Sequence, residues 1–177
     1  METFKMKQES LHYHEDDYRQ VEILPSENID ILLEQAENFI TFIEKKIEGQ
    51  GDEEIMTRED RGLPLSLRNL HKDTLKSHLM KLDIPFFQKV TSGIRIGEYD
   101  CPNTEGFGEN YNALLYELEN DIVRHFYIVG LPEVEDNLYI KILHQIGKEH
   151  DLVLIDWDRL ELIDLRNEPH VRQYVFD

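Results

Sequence analysis

The sequence predicts one α+β domain spanning residues 1–177, a mainly antiparallel sheet with hairpins, packed by two or three amphipathic helices. Three observations predict it. Short β-branched and aromatic runs stand next to one another across tight polar turns, as in Tyr111–Leu118 and Ile122–Leu131 on either side of Glu119-Asn120-Asp121. Other stretches repeat their apolar residues at three- and four-residue spacing, the period of a helix with one buried stripe. The two kinds of segment are interspersed without regular βαβ alternation, which disfavours a parallel sheet. A chain of 177 residues, 40% hydrophobic and 10% aromatic, can bury one core.

Along the chain, Leu11, Tyr13 and Glu15 alternate with His12, His14 and Asp16, a strand pattern that leads through Asp16-Asp17 into a second extended run, Tyr18–Leu24. The two read as a β-hairpin or one bent strand ending at Pro25. Ser26 is placed to cap a long helix, with Glu27 and Asp30 in a first turn that favours negative charge. Ile29, Leu32, Leu33, Ala36, Phe39, Ile40, Ile43 and Ile47 form its apolar stripe, and Gly49-Gln50-Gly51 ends it. Asp52 to Gly62 is mostly charged and reads as an exposed loop. Asp73 is placed to cap a short helix carrying Leu75, Leu79 and Leu82, stopped by Pro85. Phe86–Thr91 reads as a strand, and four glycines with Pro102 make Ser92–Glu109 an irregular connection. After the central hairpin, Leu138, Tyr139, Ile142, Leu143 and Ile146 lie on one helical face ending near His150. Leu152–Trp157 and Leu160–Leu165 form a second hairpin turning at Asp158-Arg159, and Pro169–Phe176 a terminal helix.

The charge excludes classes of partner. With 37 Asp and Glu against 19 Lys and Arg, the net charge is -18, so nucleic acid, gripped through clustered cations, is not an expected partner. An anionic membrane surface is disfavoured for the same reason. No run of apolar residues is long enough to span a bilayer, no export signal opens the chain, and the lone Cys101 rules out an internal disulfide. A cytoplasmic location is expected. The acidic surplus falls in clusters at predicted turns: Glu15-Asp16-Asp17, Asp52-Glu53-Glu54, Glu133-Val134-Glu135-Asp136 and Asp156 to Asp158.

Motifs that carry chemistry are few. His12-x-His14, followed by Glu15-Asp16-Asp17, is the best metal candidate, since alternate strand residues share a face; Asp156 and Asp158 would complete a hydrolytic site. A surface strand with a polar histidine face accounts for the same pattern, and no third ligand stands at a diagnostic spacing. The glycine pairs at 49/51 and 106/108 continue into no phosphate-loop pattern, and no cofactor is expected. Cys101 has no basic neighbour to make it a thiolate. No nucleophile elbow or His-Glu-x-x-His pair occurs, and an enzyme is not expected.

The stretch His14-Glu15-Asp16-Asp17-Tyr18-Arg19-Gln20-Val21-Glu22-Ile23-Leu24-Pro25 running into an acidic amphipathic helix, together with the Leu-Val-Leu-Ile-Asp-Trp hairpin at 152–157, resembles small acidic bacterial toxin-immunity proteins. The resemblance implies a non-catalytic inhibitor that binds a cognate toxin, in many cases a nuclease with a basic cleft, and occludes it. Asp16, Asp17, Asp156, Trp157 and Asp158, with Tyr99 and Asp100 in the irregular loop, are the expected partner-binding residues. A metal-dependent hydrolase using His12 and His14 and a non-catalytic adaptor subunit are the alternative readings.

Overall fold

The computed structural model describes residues 9–47, 58 and 60–176. Its frame is a seven-stranded antiparallel sheet in the order β10-β9-β2-β8-β7-β6-β3. In chain order these strands are β2 (Val21–Pro25), β3 (Phe86–Phe87), β6 (Thr104–Glu109), β7 (Asn112–Glu119), β8 (Ile122–Val129), β9 (Leu152–Asp156) and β10 (Glu161–Asp164). A small mixed sheet holds β1 (Leu11–Tyr13), β4 (Val90–Ser92) and β5 (Tyr99–Cys101), with β1 parallel to β4 and β5 antiparallel to it. Among the described residues there are four α-helices: α1 (Ile29–Ile47), α2 (Lys72–Leu79), α3 (Asp136–His150) and α4 (Glu168–Phe176). The chain is a single α+β domain. None of these helices is long and apolar enough to cross a membrane.

The period-two alternation of the strands divides the core. Ile23, Leu114, Tyr116, Phe126, Ile128, Leu154 and Ile163 point to one face, where they meet Leu75 and Leu79 of α2, Ile142, Leu143 and Ile146 of α3, and Val171 and Tyr174 of α4. On the opposite face Ala113, Leu115, Tyr127 and Val129 are covered by Leu11, Tyr13 and Val90 of the small sheet. Farther along that face Val153, Ile155 and Trp157 meet Leu32 of α1. Each such side chain, fully buried, contributes roughly 1.5–3 kcal/mol.

The central hairpin turns as its residues predict, since Asn120 and Asp121 both take positive φ (50° and 65°), the conformation of a two-residue turn matched to strand twist. Several expectations are corrected. The first two strands form neither a hairpin nor one bent strand; β1 and β2 lie in different sheets, joined by a short 3-10 turn at Glu15–Asp17. Leu11, His12 and Tyr13 are all buried, because both sides of β1 are covered. Phe86–Thr91 splits into β3 and β4, again in different sheets. The stretch 92–109, expected to be irregular, holds β5 and the six residues of β6. Gly106 misled the reading: a Cβ there would stand 2.6 Å from methyl groups of Leu11 and Leu115, so the glycine lets the small sheet seat on the large one.

Helix capping also differs. Ser26 caps nothing and belongs to a 3-10 turn at Ser26–Asn28, and α2 is capped by His71, whose Nδ1 accepts from the Asp73 amide at 3.2 Å. Only Leu32 and Ala36 of the α1 stripe are buried, while Leu33, Ile40, Ile43 and Ile47 are exposed. The expected stop at Gly49–Gly51 and most of the loop from Asp52 lie outside the described residues.

Gly147 of α3 packs on the backbone of Leu165, whose carbonyl carbon and oxygen would both stand 2.8 Å from an added Cβ. Alanine raises helix propensity by about 1 kcal/mol over glycine, yet here the backbone it meets cannot swing away. Gly147→Ala is expected to destabilise the fold by about 1–3 kcal/mol, read as a lower urea midpoint at unchanged slope.

Candidate functional site

The predicted site residues are brought to one end of the molecule by strand register. Tyr13 pairs with Ser92, and Ser92 with Tyr99, so the end of β1 and Tyr99 of β5 lie at the same end of the small sheet with β4 between them. The turn Glu15–Asp17 follows at once. Val21, at the start of β2, pairs with Asp156 at the end of β9, and the Trp157 amide donates to Gln20 O at 2.8 Å. The 15–20 segment therefore bridges Tyr99 on one side and the 156–160 turn on the other, while Tyr18 meets Tyr127 edge to face with centroids 5.4 Å apart.

At this end Asp16 is 86% exposed in its side chain, Asp17 is half-buried, and Asp100 and Asp158 are exposed. Asp100 pairs with Lys89 at 3.2 Å. Tyr99 is 57% exposed, and its hydroxyl pKa is raised by the Glu98 carboxylate, with Glu15 adding to the effect. The sequence reading missed Ile94 and Ile96, 68% and 65% exposed in the loop between β4 and β5. Their signal was present: two isoleucines flank Arg95 within five residues of Tyr99, in a stretch too short to bury them. The result is a small apolar and aromatic tip beside a row of carboxylates.

Asp156 and Trp157, expected as partner contacts, are instead buried, because β9 pairs on both edges up to Asp156. Asp156 Oδ1 accepts from the amides of Asp158 and Arg159, each at 3.0 Å, and builds the turn; its Oδ2 accepts from the Tyr174 hydroxyl at 2.9 Å. The Trp157 indole donates to Glu22 Oε1 at 3.0 Å. Glu135, in another acidic cluster, caps α3 by accepting from the amides of Asn137 and Leu138.

The proposed pair of metal ligands is also corrected. His12 is fully buried, with Nδ1 3.0 Å from Thr91 Oγ1 and within reach of the Gly97 amide, and its ring stands edge-on to Tyr111. Because β1 ends at Tyr13, His14 falls beyond the strand and turns its Nδ1 onto the Asp16 amide at 3.2 Å. The two imidazoles serve different neighbourhoods. Among the described residues they join no cluster of potential metal ligands.

Beside α1 a cleft of about 760 Å³ is lined by Leu24, Ile31 and Leu32, by residues 60–66, and by Arg19, Arg124 and His125. Its floor carries Glu22, a carboxylate only 6% exposed. Arg19 Nε donates to Glu22 Oε2 at 2.8 Å and its NH2 donates to Asp60 Oδ1 at 3.0 Å. Burial pulls the Arg19 pKa down, but Glu22 and Asp60 outweigh it and the net shift is upward. Arg58 lies over the Trp157 ring at 5.2 Å and donates to the Arg19 carbonyl at 2.9 Å. Burial lowers its pKa against the opposing pull of Glu22. His125 is pushed down to about 4 by burial and then by the Arg19 and Arg124 charges, with Asp60 opposing.

Glu22→Ala is expected to destabilise the fold by about 3 kcal/mol, because it strands Arg19 and the indole together; Glu22→Gln, which keeps an acceptor for the indole, should lose less in the same urea titration. His125 binds its proton more weakly folded than unfolded, so its stabilising share is whole above about pH 6.5 and is lost as pH falls toward 4. Melting temperatures across that window should fall less steeply in His125→Gln than in the parent chain. No protein-family model, curated protein or solved structure matches this chain.

Proposed function

We propose that this protein is a non-catalytic, cytoplasmic binding protein of the toxin-immunity kind, which neutralises a toxin by covering a basic surface on it. The observation that carries this reading is the juxtaposition of Ile94, Ile96 and Tyr99, all well exposed, with Glu15, Asp16, Asp17, Asp100 and Asp158 at the same end of the domain. Binding energy at interfaces concentrates in a few aromatic and apolar anchors that fill pockets. Charges around them govern approach and selectivity. The tip supplies the first and the carboxylates the second, in a chain whose net charge of -18 makes a basic partner the complementary one.

The experiment uses the full chain and a purified cognate toxin, with association and dissociation followed separately. Association should slow as ionic strength rises, and Asp16→Lys/Asp17→Lys/Asp158→Lys should slow it by at least about 10-fold at low salt, the lower end of electrostatic steering. Tyr99→Ala should leave association nearly unchanged and speed dissociation by about 30-fold, the equivalent of a hot-spot loss of about 2 kcal/mol. Association that is indifferent to salt, or a complex unaffected by Tyr99→Ala and by Ile94→Ser/Ile96→Ser, overturns this assignment of the face.

A further inference from the structure

We propose that His78, Glu149 and His150 form a binding site for a divalent transition-metal ion, with Zn²⁺ as the ion the ligand set suits, bridging the ends of α2 and α3. His78 lies in the last turn of α2, and Glu149 and His150 are the last two residues of α3. One potential ligand atom from each of the three lies within 4.8 Å of the other two. His78 Nε2 is already 3.0 Å from Glu149 Oε2.

A second observation comes from hydrogen bonding. His78 is only 6% exposed, and its Nδ1 is buried without a hydrogen-bond partner; the half-buried His150 has its Nε2 in the same condition. Buried polar groups are almost always satisfied, so an imidazole that meets the Glu149 carboxylate through Nε2 and leaves Nδ1 unpaired, beside a second imidazole with an unpaired nitrogen, marks polar capacity left unused in this cluster. Two imidazoles and a carboxylate are the donors of an open zinc site, with a fourth position left for water. Glu149 stands on the exposed side and leaves that position a route to solvent.

The Arg68 guanidinium, the nearby positive charge, is engaged by Glu27, by Asp151 Oδ2 at 3.6 Å and by the Asp151 carbonyl at 3.2 Å. Metal–ligand bonds of about 2.0–2.1 Å require the three atoms to draw together by about 1 Å. The exposed Glu149 side chain and the half-buried His150 can supply that by rotation without moving either helix.

The test is calorimetric titration of Zn²⁺ into the full chain after chelator treatment, repeated with Co²⁺ for its visible spectrum. One saturable site per chain, a tetrahedral Co²⁺ band, and affinity reduced by at least about 10-fold in His150→Ala and in Glu149→Gln are expected; loss of even an outer-shell partner has that effect. The His14→Ala variant should bind as the parent does. His150→Ala and Glu149→Gln avoid the buried His78, so two of the three ligands are probed at partly or fully exposed positions. No stoichiometric site, equal affinity in His150→Ala, or an equal loss in His14→Ala would overturn the proposal.

Discussion

A carboxylate buried on the second face of the large sheet governs how that side of the domain is built. Glu22 lies on β2, an inner strand, and lines the cleft beside α1. Desolvating a carboxylate there is tolerable only with charged and hydrogen-bonding partners. Arg19, Arg58 and the Trp157 indole converge on it for that reason. An ion pair of this kind adds little net stability over apolar packing, but removing one member leaves the others exposed to the full desolvation penalty. It thereby ties the 15–20 segment, residue 58 and the 156–160 turn to one arrangement. The outward-facing carboxylates take their places from that arrangement.

Much of this was legible in the sequence where local chemistry and tertiary role agree. The Asn120-Asp121 turn, α3, the Leu152–Asp156 strand and the terminal helix all follow from period and turn residues. Misreadings arose where one residue type has two uses. Glycine at 106 looked like loop chemistry but serves close approach of two sheets. His12 and His14 looked like a pair, yet a strand that ends one residue early sends them apart. Asp156 and Trp157 looked like a tip because Asp158 follows, whereas the strand carries both into the interior before turning. The β1–β4 pairing had no sequence signal, since parallel partners far apart in the chain leave no turn between them.

The excess negative charge is therefore of two kinds. Some carboxylates have internal work: Glu22 holds two arginines, Asp156 shapes a turn and Glu135 caps a helix. Others, Asp16, Asp100 and Asp158 among them, are exposed and contribute to the field that an approaching molecule meets. Composition alone cannot separate the two kinds, because the distinction depends on burial. The cations are divided in the same way, with Arg19 and Arg58 turned toward the cleft while Lys89, Arg95 and Arg159 stand exposed among the carboxylates of the end beside it.

The parallel pairing of β1 with β4 has a kinetic consequence. His12 and Thr91, joined across these strands, are 79 residues apart in sequence. Closing a loop of that length carries an entropic penalty of about 4 kcal/mol before any contact rewards it. The β4–β5 and β7–β8 hairpins close over far shorter loops, so they can form before β1 has a surface to dock on. Docking of β1 is thus a late event, and together with the β2 pairings it sets the 15–17 turn at the end of the small sheet that carries Tyr99. A chain stalled before that step would have most of its helices and central strands, yet lack the assembled acidic end.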